Sequence, residues 1–294
     1  MAFHIHSAKK ELQQSILLNI GFAVFEGIFG VIANSNALIS DALHDLTDSV
    51  SLSFAWYSQI QAKKAPTKKY TFGHLRFTVF AAALNALILL AVSGFIFWSA
   101  YQRFLNPQPV RGWVVFIVAI VGIAVNAAVV QKLRHHKEDI SARSAMWHML
   151  EDMFGWVAFL IGGVVMIFSD FTWIDPLLSV LVGAFVLYGA FNILTETFRI
   201  FSEGVPKGID LDEVAKSVKR VKEVQGVHDV HIWTLGAGVK TLSCHIRLPE
   251  MQLSQARHVI DKIEKMLLKK YDIQHATIEV ETAARTCPPG KKCD

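Results

Sequence analysis

Apolar residues run in long blocks through the first two hundred positions, each block separated from the next by a short polar or basic segment. The blocks are Ile16 to Ala33, Ala37 to Ile60, Phe77 to Tyr101, Trp113 to Val130, Ala145 to Phe168 and Ile174 to Phe198. A helix rises about 1.5 Å per residue, so crossing a hydrocarbon core of about 30 Å takes roughly 20 residues. The pattern predicts an α-helical membrane protein with six transmembrane helices. The second and fifth blocks are the least apolar, because acidic and histidine residues interrupt them.

After Glu203-Gly204-Val205-Pro206 the period changes. Asp210 to Val224 reads as an amphipathic helix, with Leu211, Val214, Val218 and Val221 on one face. HDVHIWTL (His228 to Leu235) and TLSCHIRL (Thr241 to Leu248) alternate as strands around a Gly-Ala-Gly turn. Leu253 to Tyr271 predicts a second helix and Ala276 to Glu281 a third strand. The expected organisation is a cytoplasmic N-terminal segment (1–15), a six-helix transport domain (16–202), a small cytoplasmic α+β domain (207–282) and a flexible cysteine-containing tail (283–294).

Composition agrees. Only 18% of the 294 residues are charged, against about 25% in soluble domains. The net charge of +4 is small and scattered, which argues against a nucleic-acid partner. Three cysteines give no disulfide framework. The N-terminus lacks the small-residue cleavage site of a secretory signal, so its first apolar run is expected to be retained. Lys9, Lys10, Lys63, Lys64, Lys68, Lys69, Lys132, Arg134, Lys137 and Arg143 fall on one side of the predicted bilayer, Arg103 and Arg111 on the other. The positive-inside rule then places both termini in the cytoplasm. The KKAPTKK cluster fits anionic lipid headgroups as well.

Against this background SDALHDLTDSVSL, Ser40 to Leu52, is anomalous, since it puts Asp41, His44, Asp45 and Asp48 inside a span. Residues i and i+4 share a helix face, so His44 and Asp48 point together, with Asp41 on the same stripe. The fifth block repeats the spacing in His148 and Asp152. Two helices that each present an imidazole and a carboxylate supply four ligands, the tetrahedral N/O set that zinc takes. Polar residues in spans also serve as interhelical hydrogen-bond partners, but the duplication favours a metal pathway. Asp41 is a candidate orienter of His44, and Asp45 a candidate lining residue of a water-filled approach. Glu26 and Asn126 read as cavity-lining polar residues. Zinc fits best; cobalt, nickel, iron(II) and cadmium share the ligand preference, whereas magnesium and calcium prefer oxygen alone.

SNALISDALHDLTD, HMLED, YTFGHLRFTVFAAALNA, GVHDVHIWTL and HATIEVE, taken in order, resemble the cation diffusion facilitators, and the paired His/Asp motifs resemble their zinc-selective bacterial efflux branch. The resemblance runs nearly end to end. It implies a homodimer in a bacterial cytoplasmic (inner) membrane, a metallochaperone-like tail fold, and exchange of cytoplasmic metal for external protons. It also carries a regulatory zinc site over to His228, His245 and Glu279, with His231 a further candidate. His231 lies three residues from His228, on the opposite side of a regular strand. His258 and His275 rank below these.

His74 begins the third span where some family members hold a further metal, but Lys68, Lys69 and Tyr70 replace the acidic or histidine ligands expected there. His135-His136 is a reduced histidine run, and Cys287 and Cys293 are candidates for a metal-capturing tail. Two other classes remain. An intramembrane metalloenzyme would need His-Glu-x-x-His or an open zinc position, and the two pairs fill all four. A metal-sensing membrane protein, its cytoplasmic domain the output module, is the alternative to transport.

Overall fold

Backbone amides in an apolar medium have no water to bond, so long apolar blocks resolve into helices that satisfy their own hydrogen bonds. The computed structural model describes residues 2–133, 140–169 and 171–282. Six long helices come first: α1 Ala2–Ala33, α2 Asn36–Ala62, α3 Arg76–Leu105, α4 Gly112–Leu133, α5 Ile140–Phe168 and α6 Ile174–Phe201. Two of them, α3 and α6, are each long and apolar enough to cross a membrane. Shorter apolar stretches lie at Asn19–Ala33, Gly112–Ala128 and Asp152–Phe168. α2 carries three aspartates, a histidine and a run of serines along its length.

The chain divides into two compact units: Met1–Phe54 with Leu84–Asn192, and Ala55–Ala83 with Ile193–Asp294. In the first, small residues let backbones approach, which is how helices pack where no hydrophobic effect drives them together. A Cβ at Gly163 would sit 2.8 Å from the backbone nitrogen of Phe116, and one at Gly122 would overlap the Trp156 ring, so α4 and α5 meet along glycines. Large apolar side chains point outward: Val31 is 71% exposed, Trp98 61% and Phe154 76%. An apolar belt of this kind suits a lipid solvent.

The start of α2 is fixed from α6. Ser35 caps the helix by accepting from the Leu38 amide at 3.2 Å. Its hydroxyl donates to Asp175 Oδ1 at 2.5 Å, and the Asn36 amide donates to Asp175 Oδ2 at 2.8 Å. Asp175 is fully buried and has the Arg103 guanidinium 3.9 Å away. A carboxylate at a helix N-terminus satisfies orphan amides and meets the positive end of the helix dipole.

The second unit contains α7 (Leu211–Lys219), β1 (Gly226–Gly236), β2 (Val239–Leu248), α8 (Leu253–Tyr271) and β3 (Ile273–Thr282). The sheet order is β1-β2-β3; β2 pairs antiparallel with β1 and parallel with β3. Leu242, Cys244, Ile246 and Leu248 alternate along β2 into a core shared with Val214 and Val218 of α7 and Val259, Ile263 and Leu267 of α8. Asp210 caps α7 by accepting from the Glu213 amide. This helix ends earlier than its periodicity suggests, because Val221 and Val224 enter successive turns that deliver the chain to β1. At the other end of the domain Asp272, with φ +55°, closes α8, so β3 starts at once. The β1–β2 turn meets the first turn of α3. The Ala237 amide donates to Thr78 Oγ1 at 3.0 Å, and a Cβ on Gly236 would overlap the Leu75 carbonyl.

Candidate metal centres

Helical spacing puts His44 and Asp48 one turn apart on α2, and there His44 Nε2 lies 3.8 Å from Asp48 Oδ2. Both side chains are partly accessible, at 15% and 24%. His44 Nδ1 is buried and finds no hydrogen-bond partner among the described residues. From α5, Asp152 comes close enough to act electrostatically on Asp41 and Asp45. Asp152 thus lies near the acidic stretch of α2, although among the described residues only His228, His245 and Glu281 bring ligand atoms within 4.8 Å of one another. His148 lies on α5 one turn before Asp152; its side chain is outside the described residues, as are His135, His136, Cys287 and Cys293. Asn126 is buried on α4. Hydroxyls nearby are spent within the helix: Thr47 and Ser49 donate to the Leu43 and Asp45 carbonyls one turn back.

The cytoplasmic site follows from strand register. His228 on β1 sits directly opposite His245 on β2, which in turn sits opposite Glu279 on β3. The two imidazoles meet edge to face with centroids 5.2 Å apart. The carboxylate that reaches both is Glu281: its Oε2 is 3.2 Å from His228 Nε2, and its Oε1 is 3.2 Å from His245 Nδ1. One ligand atom each from His228, His245 and Glu281 lie within 4.8 Å of one another. His228 and Glu281 are nearly inaccessible, at 7% and 8%. Two nitrogens and an oxygen converging on one point suit zinc, leaving a fourth position for another group.

Glu279 approaches the far nitrogen of His245 at 3.3 Å. Asp229 does so as well, at 3.5 Å. Asp229 occupies an irregularity in β1 with φ +52°, and its other oxygen bonds to His231 at 3.0 Å. His231 itself is 65% exposed and stands apart from the trio. Cys244, next to His245, points into the core, where burial pushes its thiol up to about 12; among the described residues it is a free cysteine and supplies no thiolate to this site. In the loop before α3, the His74 ring lies 4.7 Å from that of Tyr70. Phe72 meets His275 edge on at 5.4 Å.

Reading the sequence alone misses Glu281 and Asp175. Glu281 had a signal, since residues two apart on a strand share a face and Glu279 was already a candidate. Asp175 had only a weak one, an aspartate at the start of an apolar block.

The cation efflux transmembrane domain family matches residues 12–202, and the cytoplasmic domain family of cation efflux proteins matches residues 206–283. The zinc transporter ZitB of Pectobacterium atrosepticum is 37% identical over 276 residues, covering 92% of this chain and 85% of that protein. The cadmium, cobalt and zinc/H(+)-K(+) antiporter of Bacillus subtilis is 34% identical over 280 residues, covering 94% and 90%. The metal cation efflux system protein CzcD of Cupriavidus metallidurans is 33% identical over 281 residues, covering 95% and 89%. With a transmembrane domain and a cytoplasmic domain of that family matched in order, the chain is a membrane protein that belongs to the cation efflux, or cation diffusion facilitator, family.

Proposed function

We propose that this protein exports a divalent metal, zinc foremost, from the cytoplasm in exchange for external protons, through a site formed by His44, Asp48, His148 and Asp152. The observation that supports this reading is that Asp152 of α5 lies near enough to Asp41 and Asp45, on the α2 stretch that carries the His44–Asp48 pair, to act on them electrostatically. The relatives named as zinc transporters and as a metal/H(+)-K(+) antiporter support the cargo and the exchange. A ligating imidazole must be neutral and a ligating carboxylate ionised, so metal and protons compete for the same atoms. Opening toward a more acidic exterior favours protonation and release; opening inward at higher pH favours reloading. Rocking of helices about a fixed site supplies the alternating access. In this reading all six long helices cross the inner membrane with both termini cytoplasmic, the transport domain spans 16–202, and residues 207–282 form a metal-binding dimerisation domain of a homodimer. The segments 1–15 and 283–294 flank them.

The test is zinc entry into proteoliposomes carrying a zinc dye, under an imposed proton gradient, with lumenal pH followed in parallel. Zinc entry with opposite proton movement, abolished in Asp48→Ala and in Asp152→Ala, is the expected result. Flux that survives both substitutions would remove these aspartates from the transport site. The convergence of His228, His245 and Glu281 favours a second role, metal sensing by the cytoplasmic domain. Zinc binding without any flux in the wild type would make sensing the main function.

A further inference from the structure

No acidic residue occurs between Asp48 and Glu138, yet the connection from α2 to α3 holds Lys63, Lys64, Lys68 and Lys69 in a defined fold. The Thr67 amide donates to the Tyr70 carbonyl at 3.0 Å and the Tyr70 amide to Thr67 Oγ1 at 3.1 Å. Lys68 and Lys69 therefore stand at the tip of a closed turn. The Gly73 amide donates to the Tyr70 carbonyl in its turn, at 2.9 Å. With φ +67°, Gly73 folds the chain back until a Cβ there would stand 3.2 Å from the Lys64 carbonyl oxygen, so both lysine pairs belong to one small loop. Residues beyond α6 hold the segment that follows: Arg76 pairs with Glu203 at 3.0 Å, and the Phe72 ring meets His275. The lysines are left over. All four are exposed, Lys69 stands 5.6 Å from the centre of the Tyr70 ring, and among the described residues none of them forms an ion pair.

Rings accompany the cations. Tyr57 of α2 meets Phe77 of α3 edge on at 5.9 Å, Phe77 lies 6.4 Å from Phe80, and all three are exposed. Because α3 is long and apolar enough to cross a bilayer, the loop that leads into it emerges at the bilayer surface. Aromatic rings favour that depth, and lysine clusters there attract anionic lipid. Keeping lysine on one side of the membrane accounts for the charge, but not for the closed turn or for the rings beside it. We propose that the 63–73 loop and the Tyr57–Phe77–Phe80 rings form one docking surface for anionic phospholipid. The four lysines meet the headgroup phosphates, and the rings pack on the glycerol and upper acyl region. The bilayer supplies the negative charge that this part of the chain lacks. A free anion would leave the rings without a role, so the surface fits a lipid. The proposal rests on α3 as a span and is independent of the ion transported.

Native mass spectrometry of the full chain tests this, with the protein released from micelles that hold equal amounts of phosphatidylglycerol and phosphatidylcholine. The wild type should keep phosphatidylglycerol in preference by at least about tenfold, since each lysine near an anionic surface contributes roughly fivefold. Lys63→Gln, Lys64→Gln, Lys68→Gln and Lys69→Gln together should bring the preference close to unity while helical circular dichroism persists, which shows a folded chain. Should that variant fail to fold, Lys68→Gln with Lys69→Gln at the turn tip must still cut the preference severalfold. Equal retention of the two lipids by the wild type, or an undiminished preference in the folded variants, overturns the proposal. Displacement of the lipid by inorganic phosphate overturns it too, and makes the loop a free-anion site. A poly-glutamate peptide that binds in phosphatidylcholine, resists added phosphatidylglycerol and is lost in the variants would assign the loop to an acidic protein partner instead. Zinc flux is not the readout, so this proposal and the transport reading fail separately.

Discussion

At the scale of single residues, the cytoplasmic site turns on which carboxylate completes it. Glu281 lies 3.2 Å from a nitrogen of each imidazole, and Glu279 lies 3.3 Å from the outer nitrogen of His245. Glu281→Gln should therefore weaken zinc binding by the tail domain at least about tenfold, and Glu279→Gln by less, as read by calorimetric titration of the full chain. Equal losses would mean that the ion sits between Asp229 and Glu279 instead. The sequence could not make this choice. Both glutamates share a strand face, and only the parallel register of β3 with the irregularity at Asp229 sets their reach. Cys244 offers a second check. Burial raises its thiol from 9.0 to about 12, so it should resist alkylation at pH 8 until the domain is denatured. The raised value favours the folded state fully below the unfolded thiol's range. That contribution is lost as pH climbs from about 9 toward 12, so alkaline unfolding should steepen there, and less so in Cys244→Ala.

At the scale of elements, α2 and α5 were legible as helices because their apolar blocks are long enough to satisfy their own backbone bonds, which needs no knowledge of neighbours. The anchoring of α2 was not, because Asp175 lies 140 residues from Ser35 and nothing local marks it as a cap. Asp175→Ala removes acceptors from the Ser35 hydroxyl and from the Asn36 and Ala37 amides. It also leaves Arg103 without its carboxylate. The expected cost is about 1–3 kcal/mol, seen as a lower unfolding midpoint in nanodiscs. Asp175→Asn should recover part of it, since a carboxamide oxygen still accepts from the amides. An unchanged midpoint in Asp175→Ala would mean that Ser35 alone holds the helix start. In the tail domain, strand alternation and the amphipathic period of α8 gave the elements. The parallel partner of β2 emerged only in three dimensions, because α8 must cross over before β3 can pair.

For the whole molecule, the outward apolar side chains of the first unit need an apolar solvent. Trp98, 61% exposed on α3, is a built-in reporter. Brominated lipid should quench the fluorescence of the reconstituted protein, and Trp98→Phe should reduce that quenching. Quenching by aqueous acrylamide with none by brominated lipid would overturn the lipid-facing assignment. The hold of Asp175 on the start of α2 has a mechanical consequence at this scale. A helix fastened at one end is a lever, and displacement grows along its arm. His44 lies about 12 Å from Asn36 and Phe54 about 27 Å. A tilt of about 10° would carry His44 roughly 2 Å and the far residue roughly 5 Å. A small tilt at His44 thus corresponds to a movement more than twice as large at the other end of the same helix.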